Sequence, residues 1–384
     1  MLPSSLTPAA GIADVVPEDD PPAARAAGLR RGFEDVEIAS ELTLQAQLRI
    51  AGYLLSRLGA DGLADLLAVP RACVAHPFTP EELVEVVRLD IVADGCGQAR
   101  LLAIDAGSSI AARDFVTGNL SAQDFAGWDG DLLACDRRGA EPGAALVEHL
   151  AGLLRDKLAA APTRRLLLLD PTPGADTGAM QRKLAPLLPG FDVATAAETS
   201  AREGDLVYPL TPYRPAHARL FATLYDAGAT VFSPLACELM SSRAWLSLLH
   251  HECLQGLLTP RQREAVVAFV PRAFRLNEMS AFVLFEERDR YMFERIEARG
   301  ARGTVAGDRA PASLLDVMRR SPKDWIALER VNPTVPNMVA HIAPSPRDAR
   351  FVLYRVGGRY AGGWRARPAR LTALRPPREA AFTS

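Results

Sequence analysis

Apolar residues return every three or four positions between Glu37 and Leu67, at Leu42, Leu44, Leu48, Ile50, Leu54, Leu55 and Leu58, and the spacing predicts two helices. The stretch TPEELVEVV, Thr79–Val87, opens as helices do, with a Thr cap, a Pro next and acids in the first turn. The period then changes. In EVVRLDIVADGCGQARLLAIDAGSS, Glu85–Ser109, two apolar runs flank a turn-like ADGCGQ and predict a β-hairpin. Its strands nevertheless carry Arg88, Asp90 and Asp105. A single acid at such a place is explained by an edge strand in water; several together need a further reason.

EPGAALVEHLAGLLRDKLAAA, Glu141–Ala161, reads as an amphipathic helix. A new unit follows. Leu166–Leu169 form a buried-strand run that ends in Asp170 and a Pro/Gly turn; a helix and a second strand come next, then the strand in GDLVYPLTPYRP, then a helix running into a strand in LFATLYDAGATVFSP. Strands alternating with helices predict a small parallel α/β unit over 162–235. Without a G-x-G-x-x-G run, a dinucleotide reading has little to stand on. DPTPGAD, Asp170–Asp176, is either a plain turn or a substrate contact at a strand's carboxyl end. Beyond it, SSRAWLSLLHHECLQGLLTPRQREAVVAFVP is helical, and RYMFERIEARGARGTVAG, DWIALERVNP and RFVLYRVGGRYAGGWRARP are strand-like. Residues 1–32, rich in Pro, Ala and acids, read as a flexible leader.

Composition narrows the function classes. The 384 residues suffice for two or three domains, and the net charge of −2 leaves no footprint for nucleic acid. No apolar run approaches the roughly 20 residues of a membrane span, and the N-terminus lacks a secretory pattern, so a cytoplasmic protein without membrane contact is expected. The five cysteines include no C-x-x-C pair, which suggests neither a disulfide framework nor a zinc site. The consecutive residues of HHEC, His250–Cys253, point in different directions on a helix and do not converge on one ion. Only three of the 44 basic residues, Lys157, Lys183 and Lys323, are lysine.

In their order along the C-terminal half, these pieces resemble the ATP-grasp superfamily. SPLACELMSSRAWLSLLHHE is similar to the segment that places a lysine near the nucleotide, with Arg243 at that position. FERIEARGARGTVAG resembles the lid strand and glycine loop, which makes Arg295 a phosphate-side basic residue and Gly300, Arg302 and Gly303 the loop over the phosphates. WIALERV resembles the hinge strand that holds adenine, with Glu329 near the nucleotide. The metal-binding hairpin, which usually follows the lid, stands instead near the N-terminus, as in circularly permuted ATP-grasp proteins of the glutathionylspermidine synthase-like group. Their hairpin reads approximately R-x-D, turn, E-x-N; here Ala103 replaces the Glu and Asp105 the Asn.

The resemblance, over about residues 80–370, implies an α/β (α+β) fold: a circularly permuted ATP-grasp core with a small parallel pre-ATP-grasp unit. The divisions would be a leader (1–32), helices with the metal-binding half of the core (33–161), the pre-ATP-grasp unit (162–235), and the lid with the remaining core (236–384). Residues 85–108 should then share a sheet with the strand around 351–366. It also implies an ATP-dependent carboxylate–amine ligase that proceeds through an acyl phosphate, with ATP and Mg2+ as cofactors and small-molecule or peptide carboxylate and amine substrates. A homo-oligomer is compatible with this; nucleic acid and membrane are not expected as partners. Positions 103 and 105 share a strand face and Asp90 can reach the same ion, so Asp90 and Asp105 are the expected magnesium ligands. Arg88 would pair with a carboxylate or phosphate. Arg365 and Arg367, which alternate on a strand, either grip the transferring phosphate or are solvated. The alternative is a non-catalytic ATP-grasp-like protein that binds nucleotide or a partner protein, which Ala103 favours.

Overall fold

The expected hairpin forms from β1 (Val86–Ala93) and β2 (Ala99–Ala106), and β1 takes its second partner from near the end of the chain. β11 (Arg350–Val356) pairs with β1 in antiparallel register from Val356 opposite Val86 to Arg350 opposite Val92, and β12 (Arg359–Arg365) closes the sheet in the order β12-β11-β1-β2. The described strands of the expected hairpin thus share a sheet with those near 351–365, as the sequence leads one to expect. The computed structural model describes residues 22–93, 99–107, 144–170, 177–196, 201–211, 213–278, 286–297, 304–331 and 350–365.

Alternation along β1 divides its apolar residues between two cores. Val87, Leu89 and Ile91 face a core built with α1 (Pro22–Leu67), whereas Val86 faces the other way, into a core with Val352, Tyr354 and Val356. Against that second face lies α2 (Ala144–Ala160), the expected amphipathic helix, through Leu146, Leu150, Leu154 and Leu158 at every fourth position. α2 also covers the parallel sheet, so one helix joins two sheets.

The helix α1 begins at Pro22, inside the span read as a leader, and is broken at Gly59, whose φ of +70° suits glycine. The break yields two helical pieces where two helices were expected. The helix start at Thr79 gives a single 3-10 turn, Glu82–Val84. Thr79 and Glu82 do exchange cap bonds, Thr79 N–H to Glu82 Oε2 at 2.8 Å and Glu82 N–H to Thr79 Oγ1 at 3.4 Å. The β-branched Val86 and Val87 then enter the ladder, and strand pairing ends the turn.

The parallel unit has β3 (Arg165–Leu169), α3 (Thr177–Leu184), β4 (Asp192–Ala196), β5 (Leu206–Pro209), α4 (Ala218–Asp226) and β6 (Thr230–Val231). Its four strands are all parallel in the order β4-β3-β5-β6. The expected helical stretch that follows divides into α5 (Ala244–Leu248), α6 (Glu252–Gln255) and α7 (Pro260–Phe269), the last started by a capping box between Thr259 and Gln262. A third sheet, antiparallel in the order β7-β10-β8-β9, uses β7 (Ala273–Arg275), β8 (Tyr291–Arg295), β9 (Thr304–Ala306) and β10 (Trp325–Glu329). α8 (Ala312–Arg320) covers one face of it, with Leu315 and Met318 against Phe293, Trp325 and Ala327. Ile326 and Leu328 point to the opposite face and join the core of α1 and β1. The result is a mixed α/β protein with several sheets.

Candidate functional site

Arg88 and Asp90 lie two apart on β1, opposite Asp105 and Ala103 of β2, so all four share one face of the sheet. Asp90 opposes Ala103 while Ile91 opposes Leu101, which leaves Leu102 as an extra residue on β2. Such bulges bend a strand and re-aim what it carries. Here the bulge turns the Leu102 carbonyl toward Arg243, whose Nη1 donates to it at 3.2 Å. The rest of this edge is also covered. Ala106 N–H donates to Ser241 Oγ at 2.7 Å, Ser241 Oγ is 3.2 Å from Ala106 O, and Arg100 Nη1 donates to Ala268 O. An edge strand left open would pair with any passing strand; these side chains fix β2 to the segment before α5 instead.

Arg243 reaches past β2 to the third sheet. Its Nε lies 3.7 Å from Glu294 Oε2, and both side chains are nearly buried, at 14% and 12% exposure. Glu294 Oε1 accepts from Thr304 Oγ1 at 3.2 Å, whereas its Oε2 is buried without a hydrogen bond. Arg88 Nε donates to Asp90 Oδ1 at 2.8 Å. Two arginines and three acids from three parts of the chain therefore meet between two antiparallel sheets.

The electrostatics follow from that crowding. Burial pushes the Asp90 carboxyl above its ordinary range, Arg88 opposes this, Asp105 adds to it, and Arg243 opposes it again. For Arg243, burial alone would lower the pKa, but Glu294, Asp105 and Asp90 together hold it above its usual value against Arg88. Asp90 keeps 28% of its side-chain surface open. Magnesium takes one or two carboxylates and completes its shell with water and phosphate oxygens, and Asp90 with Asp105 fits that requirement. Among the described residues, no group of three or more His, Cys, Asp or Glu side chains is arranged to hold a metal.

Of the residues singled out in the sequence, the structure brings together Arg88, Asp90, Asp105 and Arg243. Arg295 is not among them. It is exposed, with Nη2 at 3.4 Å from Glu297 Oε2, and stands on the face of β8 opposite Glu294. Glu329, also exposed, ends β10 opposite Tyr291, whereas Arg295 is opposite Trp325, so roughly 13 Å of strand separates the two. Arg365 contributes its backbone to β12, opposite Phe351. Gly300, Arg302, Gly303 and Arg367 lie outside the described residues, as does the Pro171–Asp176 part of DPTPGAD. His250 turns its Nε2 to Val270 O and Pro271 O at 3.1 and 3.2 Å, and the residues of HHEC do not converge. Sequence reading passed over Glu294, Thr304 and Ser241. The available signal was alternation in FER: if Phe293 packs on α8, its neighbour Glu294 must face the other way.

No family model matches the sequence, and no curated protein matches it. Among solved structures, the apo form of a glutathione synthetase-like effector from Globodera pallida is similar over 86% of this chain and 82% of that one, at 12% identity and a TM-score of 0.49. No helix among the described residues is long and apolar enough to cross a membrane.

Proposed function

We propose that the chain is an ATP-grasp-like carboxylate–amine ligase whose core is circularly permuted. One observation carries the reading: the β1–β2 hairpin presents Asp90 and Asp105 on one face, beside Arg88, at the place where Arg243 spans from β2 to the third sheet. That gives a cation site and a guanidinium for phosphate between two sheets. In this reading, bound magnesium neutralises charge on the ATP phosphates. Asp90 and Asp105 would hold it, Arg243 would take a phosphate oxygen, and Arg88 would orient Asp90 and favour its ionised form. A substrate carboxylate oxygen attacks the γ-phosphorus as the bond to the β-phosphate oxygen breaks, which releases ADP. An amine then attacks the acyl carbon, loses a proton and expels phosphate, leaving an amide. Positioning and charge neutralisation suffice for both steps, with no covalent protein nucleophile.

The test is calorimetric titration of the full chain with ATP, with and without magnesium, followed by assay of ADP release with pools of carboxylates and amines. The reading expects magnesium-dependent ATP binding and ADP release that needs both pools. A second reading, nucleotide binding without catalysis, rests on Ala103: it is 3% exposed and opposite Asp90, so a third oxygen is missing where the family pattern has one. Tight ATP binding with no release in any pool would favour it.

A further inference from the structure

Apart from the charge cluster, the parallel sheet gathers its own unsatisfied polar atoms. Thr211 Oγ1, Ser233 Oγ and His217 Nδ1 are buried and have no hydrogen-bond partner among the described residues. All three stand past the carboxyl ends of parallel strands: Thr211 follows β5, Ser233 follows β6, and His217 immediately precedes α4. An unmet buried polar group costs about 1–3 kcal/mol, so native proteins keep few of them and rarely together without a reason.

Register brings the chain leading to Thr211 alongside the chain leading to Ser233. Val207 opposes Val231, and Phe232 N–H donates to Val207 O at 2.7 Å, so the β5 and β6 ends run on side by side. Val207 and Val231 belong to the core on the α4 side of the sheet. Ser233, only 5% exposed, has a φ of +52° although Pro234 follows it. Non-glycine residues seldom adopt that region, and a following proline restricts them further. Strain of this kind persists where surrounding structure needs the side chain held.

The topology singles out the same edge. The chain goes from β3 to β4 on one side and returns to β5 on the other, so the order β4-β3-β5-β6 has its switch point between β3 and β5. Open α/β sheets bind ligands in the crevice outside the carboxyl ends at such a point. Asp170, 5% exposed, follows β3 there. His217 is held below its usual range first by burial and then by Arg214, against Asp170, and is uncharged at neutral pH. The edge thus offers one carboxylate, one exposed guanidinium and neutral donors and acceptors. That balance suits a ligand carrying one charge of each sign and disfavours a phosphate dianion.

We propose that the carboxyl edge of the parallel sheet, bounded by Thr211, Ser233, His217, Asp170 and Arg214, binds an α-amino acid. The two hydroxyls and Arg214 receive the α-carboxylate, and the α-ammonium lies on the Asp170 side. As a binding site it stands on the parallel sheet alone; that its occupant is a substrate of the ligase rests on the reading given above.

The experiment is calorimetry of the full chain with glycine, L-alanine and L-glutamate in separate titrations, with acetate, methylamine and inorganic phosphate as further arms. At least one amino acid should bind, and more tightly than acetate or methylamine. Thr211→Val, which keeps the shape and removes the hydroxyl, should weaken that binding by about tenfold, the loss of one hydrogen bond to a charged group, and Thr211→Ser should restore it. Because Ser233→Ala risks folding at a positive φ, Ser233→Asn, which tolerates that backbone, serves as the second variant. Thermal melts confirm that each variant is folded. No binding by any of the three amino acids, equal or tighter binding of phosphate, or unchanged affinity in Thr211→Val would overturn the proposal, the last meaning that the amino acid binds elsewhere. ATP titrations of the same samples separate the two readings: amino-acid binding without ATP binding leaves this site standing and removes the ligase.

Discussion

Arg243 Nε and Glu294 Oε2 stand 3.7 Å apart across the gap between two sheets, joining the segment before α5 to strand β8. Glu294 is a competitor for the guanidinium that the proposed nucleotide would need. Glu294→Gln removes the charge and keeps the shape, so ATP affinity should rise by about fivefold, the equivalent of ~1 kcal/mol for a partly buried ion pair. Calorimetry checks this. Weaker binding in Glu294→Gln would mean that Glu294 itself serves the ligand.

Removing the other partner should be harmful twice. Arg243→Ala should reduce ATP affinity by at least about tenfold, and it strands a buried Glu294 without its cation. Breaking a buried pair in this way costs roughly 3–5 kcal/mol, which urea unfolding would register as a lower midpoint. Arg295→Ala is the matched control. Exposed, and paired with Glu297 at 3.4 Å among the described residues, it should leave stability unchanged to within about 0.5 kcal/mol.

The two magnesium candidates should differ. Asp105→Asn retains one oxygen and leaves the Arg88–Asp90 pair intact, so it should be the milder change. Asp90→Asn likewise leaves one carboxylate, but it also neutralises the acid that Arg88 pairs with at 2.8 Å. Magnesium-dependent ADP release should fall far more in Asp90→Asn than in Asp105→Asn. Equal, unimpaired release in both would show that the hairpin is not the metal site.

The hairpin, its acids and the parallel unit were legible because each rests on local rules: period-two alternation, turn chemistry, and apolar strands alternating with helices. What the sequence hid was distance. The pairing of β1 with β11 could be reached only through the order of family-like motifs, since no local pattern says which strand lies beside Val86. Arg295 stood out as a base in a strand, yet its neighbour Glu294 faces Arg243, because the packing of Phe293 on α8 sets which way the strand turns. The bulge at Leu102 was hidden too: it depends on how two strands fit, not on either one.

Gly307, buried at the end of β9, tests the third sheet independently of any ligand. A Cβ there would collide with the Arg288 backbone carbonyl and press on Phe293. A backbone atom cannot swing away as a side chain can, so Gly307→Ala should destabilise by about 1–3 kcal/mol or more. Urea unfolding measures it, and a midpoint equal to that of the parent chain would contradict the packing of the turn after β9 against the segment before β8.

Asp90 should give magnesium binding an acid limb at an unusually high pH. Its ordinary value is 3.8, and burial raises it in the folded chain. Above 3.8 and up to the raised value, the native state therefore holds a proton that the unfolded state has lost. Stability falls as pH rises through that window, because ionising Asp90 inside the cluster is unfavourable. A cation reverses the balance, since it binds only the ionised form. Magnesium should therefore stabilise the protein above the window and lose its effect as pH falls into it, with a midpoint above 3.8. In Asp90→Asn this limb should vanish. Thermal unfolding with and without magnesium, taken from pH 4 to 8, reads it directly. A magnesium effect that is absent at every pH, or present with the same pH dependence in Asp90→Asn, would remove Asp90 from the metal site.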